Sequence, residues 1–483
     1  MEYWLMQLSE DQEKVVDLAQ KWWLDFGKNK NPFVVTGMAG TGKSTILSEI
    51  LEKLNIAPKR TMFLATSATA TTNVHDKNRL AKANTIASFI KTHSEVIHII
   101  KDDKEFETWY SITDITDSEV PDFDKEDAFE KIVGRDADIE TVDLGLLQSI
   151  MNKLGYYAER EQVFDIVGDK PLDKNLDIVV VDELGMVTDA EMEAIIKKGL
   201  PVIATGDPYQ LPPIGAEPNN YIKNKDYTWY SELTEIHRQS DDSGLIELAS
   251  VARFGGDWRS KASELQNRHA KGIIVAPSAR KQPKVLNFGD VILSPTNRNV
   301  QYFNQLIHEE RFGKQNVLNI NEKIVITSNT SQRNDAGLPT FSNGQIGVIS
   351  KIYDEPEFDD IYAKLVDIRL DSRTFERVVI NVKHIDDPRI SSYRLKDQSA
   401  EDFALYRERR SMVFQRKLED KYDTLAPEVV YVTYGYAMTV HRAQGKEWNN
   451  VIFDTDIPYV MLDNSTPLIY TAITRAKSKL LLM

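Results

Sequence analysis

The run Gly37-Met38-Ala39-Gly40-Thr41-Gly42-Lys43-Ser44 has the residue types and spacing of a loop that holds a triphosphate. Glycines at both ends let successive backbone N–H groups turn inward on phosphate oxygens. Lys43 adds a point charge at the β/γ position, and the Ser44 hydroxyl is suited to Mg²⁺. Ala39, Gly40, Thr41, Gly42 and Thr45 count in the same site. A glycine-rich turn that binds nothing is the competing explanation, and the flanks argue against it: apolar Phe33-Val34-Val35 precedes, and Ile46, Leu47, Ile50, Leu51 and Leu54 follow at helical spacing. A second run, Ile178-Val179-Val180-Val181, delivers Asp182-Glu183 at its carboxyl end. The first acid can hold the metal and the second can act as base on a water facing the γ-phosphate. Alone, adjacent acids at a strand exit are a turn or cap; beside a phosphate loop, chemistry is the better explanation. A third run, Pro201-Val202-Ile203-Ala204, leads into Gly206-Asp207-Pro208-Tyr209-Gln210-Leu211-Pro212-Pro213, where Gln210 suits a γ-phosphate sensor and an ordinary proline-stiffened loop is the alternative.

These residues need strands and helices in alternation to bring them together. Early on the pattern predicts a helix from Glu10 to about Phe26, the strand before the loop and its helix, a strand Thr61–Ala65, and a further helix. Such alternation implies an α/β fold with a parallel sheet. After Ile90 an acidic, aromatic-containing insertion interrupts it, ending in a helical stretch Leu144 to Ala158. A second alternating unit starts at Val291–Ser294 with the helix Val300–Phe312, and returns at Val429–Thr433, Val451–Phe453 and Leu480–Leu482. Between lie short strand candidates, Ile324–Thr327, Gly347–Ile352, Ile361–Leu370 and Val378–Val382, which suggest a small antiparallel barrel. A charged helical stretch, Ala400 to about Tyr422, follows.

At 483 residues the chain is too long for one core and suggests about two to four domains. It has no cysteine, which excludes disulfides, thiolate nucleophiles and cysteine-ligated zinc. No signal peptide is visible, and no apolar run approaches the roughly 18 residues that span a bilayer, so a cytoplasmic protein without membrane partners is expected. The net charge of −15 looks unfavourable for nucleic acid, but residues 102–143 hold 16 Asp and Glu against four Lys and Arg. One segment carries most of the acidity. A solvated acidic surface or a disordered loop is the first explanation for it, and a partner-recruiting or DNA-repelling role the second.

Further segments read Leu233-Thr234-Glu235-Ile236-His237-Arg238-Gln239, Tyr434-Gly435-Tyr436-Ala437-Met438-Thr439-Val440-His441-Arg442-Ala443-Gln444-Gly445-Lys446-Glu447-Trp448 and Tyr470-Thr471-Ala472-Ile473-Thr474-Arg475-Ala476-Lys477. In order and wording the whole set, from Gln12 to Lys477, resembles the superfamily 1 helicases of the 5′-to-3′ branch, the RecD-like and Pif1-like enzymes, with the size and layout of the Dda-like enzymes of phages. The resemblance implies two RecA-like P-loop domains. The first would span 1–285, with a pin-like acidic subdomain inserted at about 93–168. The second would comprise 286–323 and 429–483, with an SH3-like barrel and helical tower inserted at 324–428.

It also implies roles. Gln12 would read adenine, Gln210 would contact the γ-phosphate, and Arg238 and Arg475 would be the two arginine fingers beside Lys43 and Glu183. Gly37 and the loop after it, Gly445 and Glu447 would approach the nucleotide, with Ser44 and Asp182 on the metal. Thr66, Ser67, Thr85, Phe164, Thr296, Asn297, Thr439 and His441 are the implied DNA contacts. For Phe164, on the far side of the pin in Glu161–Asp165, an ordinary core phenylalanine is the alternative.

The implied cofactors are ATP and Mg²⁺. The implied activity is ATP-dependent, DNA-stimulated separation of duplex DNA in replication, recombination or repair, with 5′-to-3′ travel on single strands by a monomer. Its partners would be single-stranded DNA and forks, with single-strand-binding or replication proteins as further candidates. If phage-encoded, it would work in the host cytoplasm. A protein-displacing translocase, an RNA helicase of the same superfamily and a non-motor regulatory NTPase or GTP switch are the rivals; no Asn-Lys-x-Asp guanine-reading element is present. No nuclease or relaxase element is visible, so a bare motor is expected.

Overall fold

In the computed structural model of the protein the described residues are 8–28, 30–66, 71, 81–101, 109–111, 156–166, 172–213, 217–224, 226, 228–236, 244–313, 318–327, 329–330, 340–353, 363–370, 373–381, 430–461 and 465–483. Segments 91–101, 109–111 and 156–166 are described by backbone alone. The chain divides into two compact units. One comprises Met1–Phe89, Pro171–Pro388 and Glu428–Met483, and the other Ile90–Lys170 and Arg389–Pro427.

The strands of the first unit's amino-terminal lobe are β1 (Phe33–Gly37), β2 (Thr61–Ala65) and β3 (Lys82–Thr85). The other unit holds β4 (Lys91–Lys101), β5 (Trp109–Ser111) and β6 (Tyr156–Ile166), and the first lobe then resumes with β7 (Ile178–Val181), β8 (Val202–Gly206) and β9 (Tyr230–Leu233). The lobe's six strands form one sheet in the order β3-β2-β7-β8-β1-β9, every pairing parallel. Parallel strands are covered on both faces, which is why β1, β7 and β8 are buried along their whole length and read as continuous β-branched runs. Helices α1 (Glu10–Asp25) and α2 (Lys43–Lys53) cover one face. Val15, Ala19 and Trp22 of α1 and Ile46 and Ile50 of α2 pack there against Phe33, Ile178 and Ile203. Ser9 and Gln12 close α1 with a reciprocal capping box. Strand β3 and the short helix α3 (Ile86–Ile90) after it were not separable by pattern, since Lys82-Ala83-Asn84-Thr85 has no apolar run and only its ladder to β2 makes it a strand.

Helices α4 (Asp189–Lys197), α5 (Asn220–Lys223), α6 (Gly244–Arg253) and α7 (Trp258–Asn267) precede the second sheet, whose strands are β10 (Ile273–Val275), β11 (Val291–Ser294), β17 (Ala437–Thr439), β18 (Trp448–Phe453) and β19 (Ala476–Leu482). Its order is β10-β19-β18-β11-β17, again parallel, with α8 (Pro283–Leu286), α9 (Asn297–Phe312) and α10 (Ser465–Ile473) around it. The expected end of the first lobe at residue 285 is therefore corrected. β10 pairs with β19, and Leu245 and Leu248 of α6 share a core with Leu468 and Ile469 of α10, because the apolar faces of 244–275 match the second sheet.

Strands β12 (Lys323–Ile326), β13 (Ile346–Ile352), β14 (Ala363–Leu370), β15 (Arg373–Asn381) and β16 (Val430–Tyr434) close into a barrel, antiparallel as expected except where β15 pairs parallel with β16. One assignment changes. Val429–Thr433, expected in the second sheet, supplies β16, which pairs antiparallel with Ile324–Ile326. Gly435 turns the chain from barrel to sheet where a Cβ would lie 2.8 Å from the Ile324 backbone, and β17 then joins β11.

In the other unit β4 pairs antiparallel with β5 and β6. Residues 156–158, expected to end a helix, are strand because Tyr157 and Ala158 enter the ladder opposite Ile100 and Ile99. Phe164 lies opposite His93 in the same ladder. Most of the acidic run 102–143 and the helical stretch 400–422 lie outside the described residues. Among the described residues no helix is long and apolar enough to cross a membrane.

Candidate active site

Parallel strands end on one edge, and that topology assembles the chemistry. β1, β7 and β8 release the phosphate loop, the acid pair and the Gln210 loop at the carboxyl edge of the first sheet. Gly40 and Gly42 adopt φ of +91° and +82°, which non-glycine residues resist, while at Gly37 a Cβ would meet Thr41 Oγ1 at 2.5 Å. Thr41 is fully buried and its hydroxyl donates to Met38 O at 2.9 Å. The Lys43 amine donates to Gly37 O and Met38 O at 2.7 and 2.9 Å, so the cation sits at the mouth of the loop. α2 begins at Lys43, with its positive end and free N–H groups directed at the same place. Gln12 is buried, accepts from Ser9 N–H at 3.1 Å and donates to Thr41 O at 3.4 Å, which ties α1 to the loop.

Asp182 Oδ1 accepts from Thr205 Oγ1 at 2.8 Å and from the Glu183 N–H at 2.9 Å. Both bonds fall on Oδ1, so Oδ2 is the oxygen suited to Mg²⁺, together with the exposed Ser44 hydroxyl; the donor set is hard oxygen and fits that ion. Glu183 has φ +56° and ψ 46°, a left-handed conformation costing a non-glycine residue about 1–3 kcal/mol. The turn Leu184–Met186, whose Leu184 is fully buried, holds it there.

Burial, and then the neighbouring Asp182, push the Glu183 carboxyl above its ordinary range, while Arg475 and Lys43 pull it down. In the role of base proposed for it, Glu183 acts only when ionised, so activity is expected to be lost as pH falls through the raised value. The acid limb of kcat against pH is therefore expected above the ordinary glutamate pKa of 4.5. Glu183→Gln should abolish that limb together with most of the turnover. An acid limb at 4.5 or below in the native enzyme would show that the carboxylate is not the base.

Arg475 follows α10 from the second lobe and is 2% exposed. Its Nε, Nη1 and Nη2 donate to Thr471 O, Lys446 O and Thr474 Oγ1 at 3.1, 3.2 and 3.0 Å. Burial lowers its pKa, and Glu183 chief among its neighbours opposes that, so the guanidinium and the Glu183 carboxyl lie within each other's field. The Gln210 loop is bonded to the same helix. The Leu211 N–H donates to Thr471 Oγ1 at 3.0 Å, Gln444 Nε2 donates to Leu211 O at 2.9 Å, and Tyr470 OH donates to Asp207 Oδ2 at 2.6 Å. Gln210 itself is 7% exposed. Gly445 has φ +71°, and Glu447 lies 3.9 Å from Lys477.

Asp11 holds the segment just after β9 by accepting the Thr234 and Glu235 N–H groups at 2.9 and 3.1 Å. Partial burial pushes its carboxyl up, but the Ser9 hydroxyl and the N–H groups of Thr234, Glu235 and Gln12 outweigh this and hold it at about 2. Arg238 and Ser67 lie outside the described residues, as does the side chain of Phe164.

The remaining implied DNA contacts also fall at carboxyl strand ends. Thr66 follows β2 with its hydroxyl on Met186 Sδ at 3.7 Å. Thr85 ends β3 and accepts the Ser88 N–H at 3.1 Å. Thr296 caps α9 by accepting the Asn299 N–H at 3.2 Å, with Asn297 the first helical residue. Thr439 ends β17 and accepts the Arg442 N–H at 3.3 Å. A hydroxyl that accepts one N–H still has its own proton to donate, which suits a phosphate oxygen. His441 is half-buried, and burial lowers its pKa. Beside it, burial and then Arg442 bring Lys446 down to about 8. Sequence reasoning passed over Asp207, Gln444, Tyr470 and Thr471, although all lie in segments it singled out. The four-residue spacing of Thr471, near the end of α10, and Arg475, in the turn after it, was the available signal.

Residues 8–275 match the model of a family described as an AAA domain, and residues 434–483 match that of a UvrD-like helicase C-terminal domain. No curated protein matches. Among solved structures, the chain is similar to the Pif1 helicase from Bacteroides in complex with ADP-AlF3 and ssDNA, at 16% identity and a TM-score of 0.50, over 99% of this chain and 92% of that one. It is also similar to the Pif1 helicase from Candida albicans, at 16% identity and 0.48, over 99% and 94%. At that identity the Bacteroides likeness establishes the fold: RecA-like parallel sheets with a barrel.

Proposed function

This chain belongs to the AAA domain family, and from that premise we propose that it is an ATP-dependent DNA helicase that travels 5′ to 3′ on single-stranded DNA. The observation that carries this reading is the convergence of a phosphate loop, an acid pair and a buried arginine from a second parallel sheet, with the γ-phosphate sensor loop bonded to that arginine's helix. Lys43 and the N-terminus of α2 hold the β/γ-phosphates, Glu183 takes the proton of the attacking water, and Gln210, Arg238 and Arg475 stabilise charge on the transferring phosphoryl group. Mg²⁺, held by Ser44 and Asp182, would spread the negative charge of the β- and γ-oxygens.

ATP draws the lobes together because two guanidinium groups from outside the phosphate loop are attracted to its γ-phosphate. Hydrolysis removes that attraction, and alternating grip along the strand-exit edges turns each cycle into a step. The UvrD-like C-terminal match supports a motor over a regulatory switch. The bound ssDNA named for the Bacteroides relative is in keeping with a single-stranded DNA track. The Dda-like layout, a monomeric working unit, forks and single-strand-binding proteins as partners, and a cytoplasmic setting belong to the same reading.

Unwinding of matched duplexes bearing a 5′ or a 3′ single-stranded tail, with ATP turnover followed on DNA and RNA homopolymers, tests it. DNA-stimulated turnover with unwinding of the 5′-tailed substrate is expected. Preference for the 3′ tail would overturn the polarity, equal or greater stimulation by RNA would overturn the substrate, and turnover indifferent to oligonucleotide would overturn the motor.

A further inference from the structure

Resting on that reading, we propose that Tyr470 is a positioning residue, whose hydroxyl latches the γ-phosphate sensor loop of the first lobe to α10, the helix that leads into Arg475 in the second. Tyr470 is fully buried and donates to Asp207 Oδ2 at 2.6 Å, the short distance of a bond to a charged acceptor. Asp207 is itself 1% exposed, and its other oxygen accepts only a backbone N–H among the described residues, that of Tyr209 at 3.1 Å. A buried carboxylate with so few donors depends heavily on each.

The next residue repeats the connection. The Thr471 hydroxyl accepts the Leu211 N–H, and Gln444 donates to Leu211 O, so both backbone groups of Leu211 are satisfied from the second lobe. A buried loop with its peptide groups supplied from across the cleft is incomplete when the lobes part. Thr471 also carries the register onward. Its carbonyl oxygen accepts from Arg475 Nε at 3.1 Å and from Thr474 Oγ1 at 2.8 Å, which fixes the guanidinium to the turn that holds the sensor loop. Gln210 and Arg475, the groups assigned to the γ-phosphate from opposite lobes, are thus set relative to each other by bonds that touch no phosphate. Burial and the adjacent Asp207 raise the Tyr470 pKa, so the phenol remains a donor throughout the working range.

The consequence is a split in kinetics. Closure sets the transition state, whereas most of the contacts proposed for ATP, those of Lys43, the α2 N-terminus and Gln12, belong to the first lobe. Tyr470→Phe is therefore expected to lower the DNA-stimulated kcat by on the order of 10- to 100-fold with KM for ATP little changed. A merely structural role is separated by the double variant Tyr470→Phe with Asp207→Asn, which removes the stranded buried charge without restoring the bond. If Tyr470 positions, the double variant recovers the thermal midpoint while kcat stays low; recovery of kcat as well would overturn the proposal. Should Tyr470→Phe fail to fold, Thr471→Val tests the neighbouring bond, with the same loss of kcat at constant KM expected and an unchanged kcat overturning the latch. Native-like kcat in Tyr470→Phe, measured beside an active native enzyme, overturns the latch and leaves the helicase reading standing. A folded native chain that binds a fluorescent ATP analogue yet shows no DNA-stimulated turnover overturns both.

Discussion

Substituting Arg475 with alanine is expected to reduce the DNA-stimulated kcat by about 10³- to 10⁵-fold, the range over which arginine fingers act in phosphoryl transfer. The magnitude follows from where the charge sits. At 2% exposure water screens it little, and the helix α10 brings it into the field of Glu183. Binding of a fluorescent ATP analogue should survive, since the phosphate loop belongs to the other lobe.

Arg475→Lys should restore little. Three different nitrogens of the guanidinium donate to Thr471 O, Lys446 O and Thr474 Oγ1, and an ammonium group cannot span that fan. The alanine variant takes one donor from Thr471 O, which keeps the Thr474 hydroxyl, and one from the part-buried Lys446 O, costing roughly 1–3 kcal/mol each at most, so the thermal midpoint must be read beside the rate. A further signature follows from the Glu183 environment. Arg475 is the larger of the two cations that pull its carboxyl down, so the residual activity of Arg475→Ala should show an acid limb at still higher pH than the native enzyme. Retention of more than a tenth of the native kcat in a folded Arg475→Ala protein would remove this residue from the chemistry.

Lys43→Ala is expected to abolish measurable duplex unwinding and to lower ATP hydrolysis by at least about 10²- to 10³-fold, the cost of removing one well-placed donor from a developing anion. Folding should be nearly intact. The amine is half-buried and its two bonds are to carbonyl oxygens of the loop itself, so its loss leaves Thr41, Gly37 and the α2 N-terminus to keep the loop shaped. Binding to a single-stranded oligonucleotide without nucleotide should likewise persist, which separates motor failure from loss of the track. Removing Lys43 also removes the weaker of the two cations beside Glu183, so the acid limb should move up, by less than in Arg475→Ala. A Lys43→Ala protein that still separated a tailed duplex with ATP would detach strand separation from this phosphate site.

Much of this chemistry was legible because it is local. Eight consecutive residues make the phosphate loop, and two consecutive acids at the end of Ile178–Val181 make the pair proposed to serve as metal ligand and base. Each depends on neighbours in the chain, not on partners brought from afar. The parallel sheets were legible for a related reason, since strands buried on both faces carry their burial in composition, as β1, β7, β8 and β11 do. The edge strand β3 was not, because half-buried Lys82-Ala83-Asn84-Thr85 has no such mark. The same limit misplaced β16 and β10. An apolar run shows that it will be buried, but the sheet that takes it is set by which edge lies open when it arrives.

By itself, then, the order of residues determined the candidate reactive groups, their strand exits and the α/β class with its inserted barrel, because those follow from short-range spacing and hydrophobic period. Only the tertiary structure decided that Val430–Tyr434 closes the barrel, that 244–275 builds on the second sheet, and that Tyr470 meets Asp207, 263 positions away in the chain. Such a bond has no local signature. Two polar groups far apart in the chain pair when burial denies both of them water, and only the packed fold brings them to that condition.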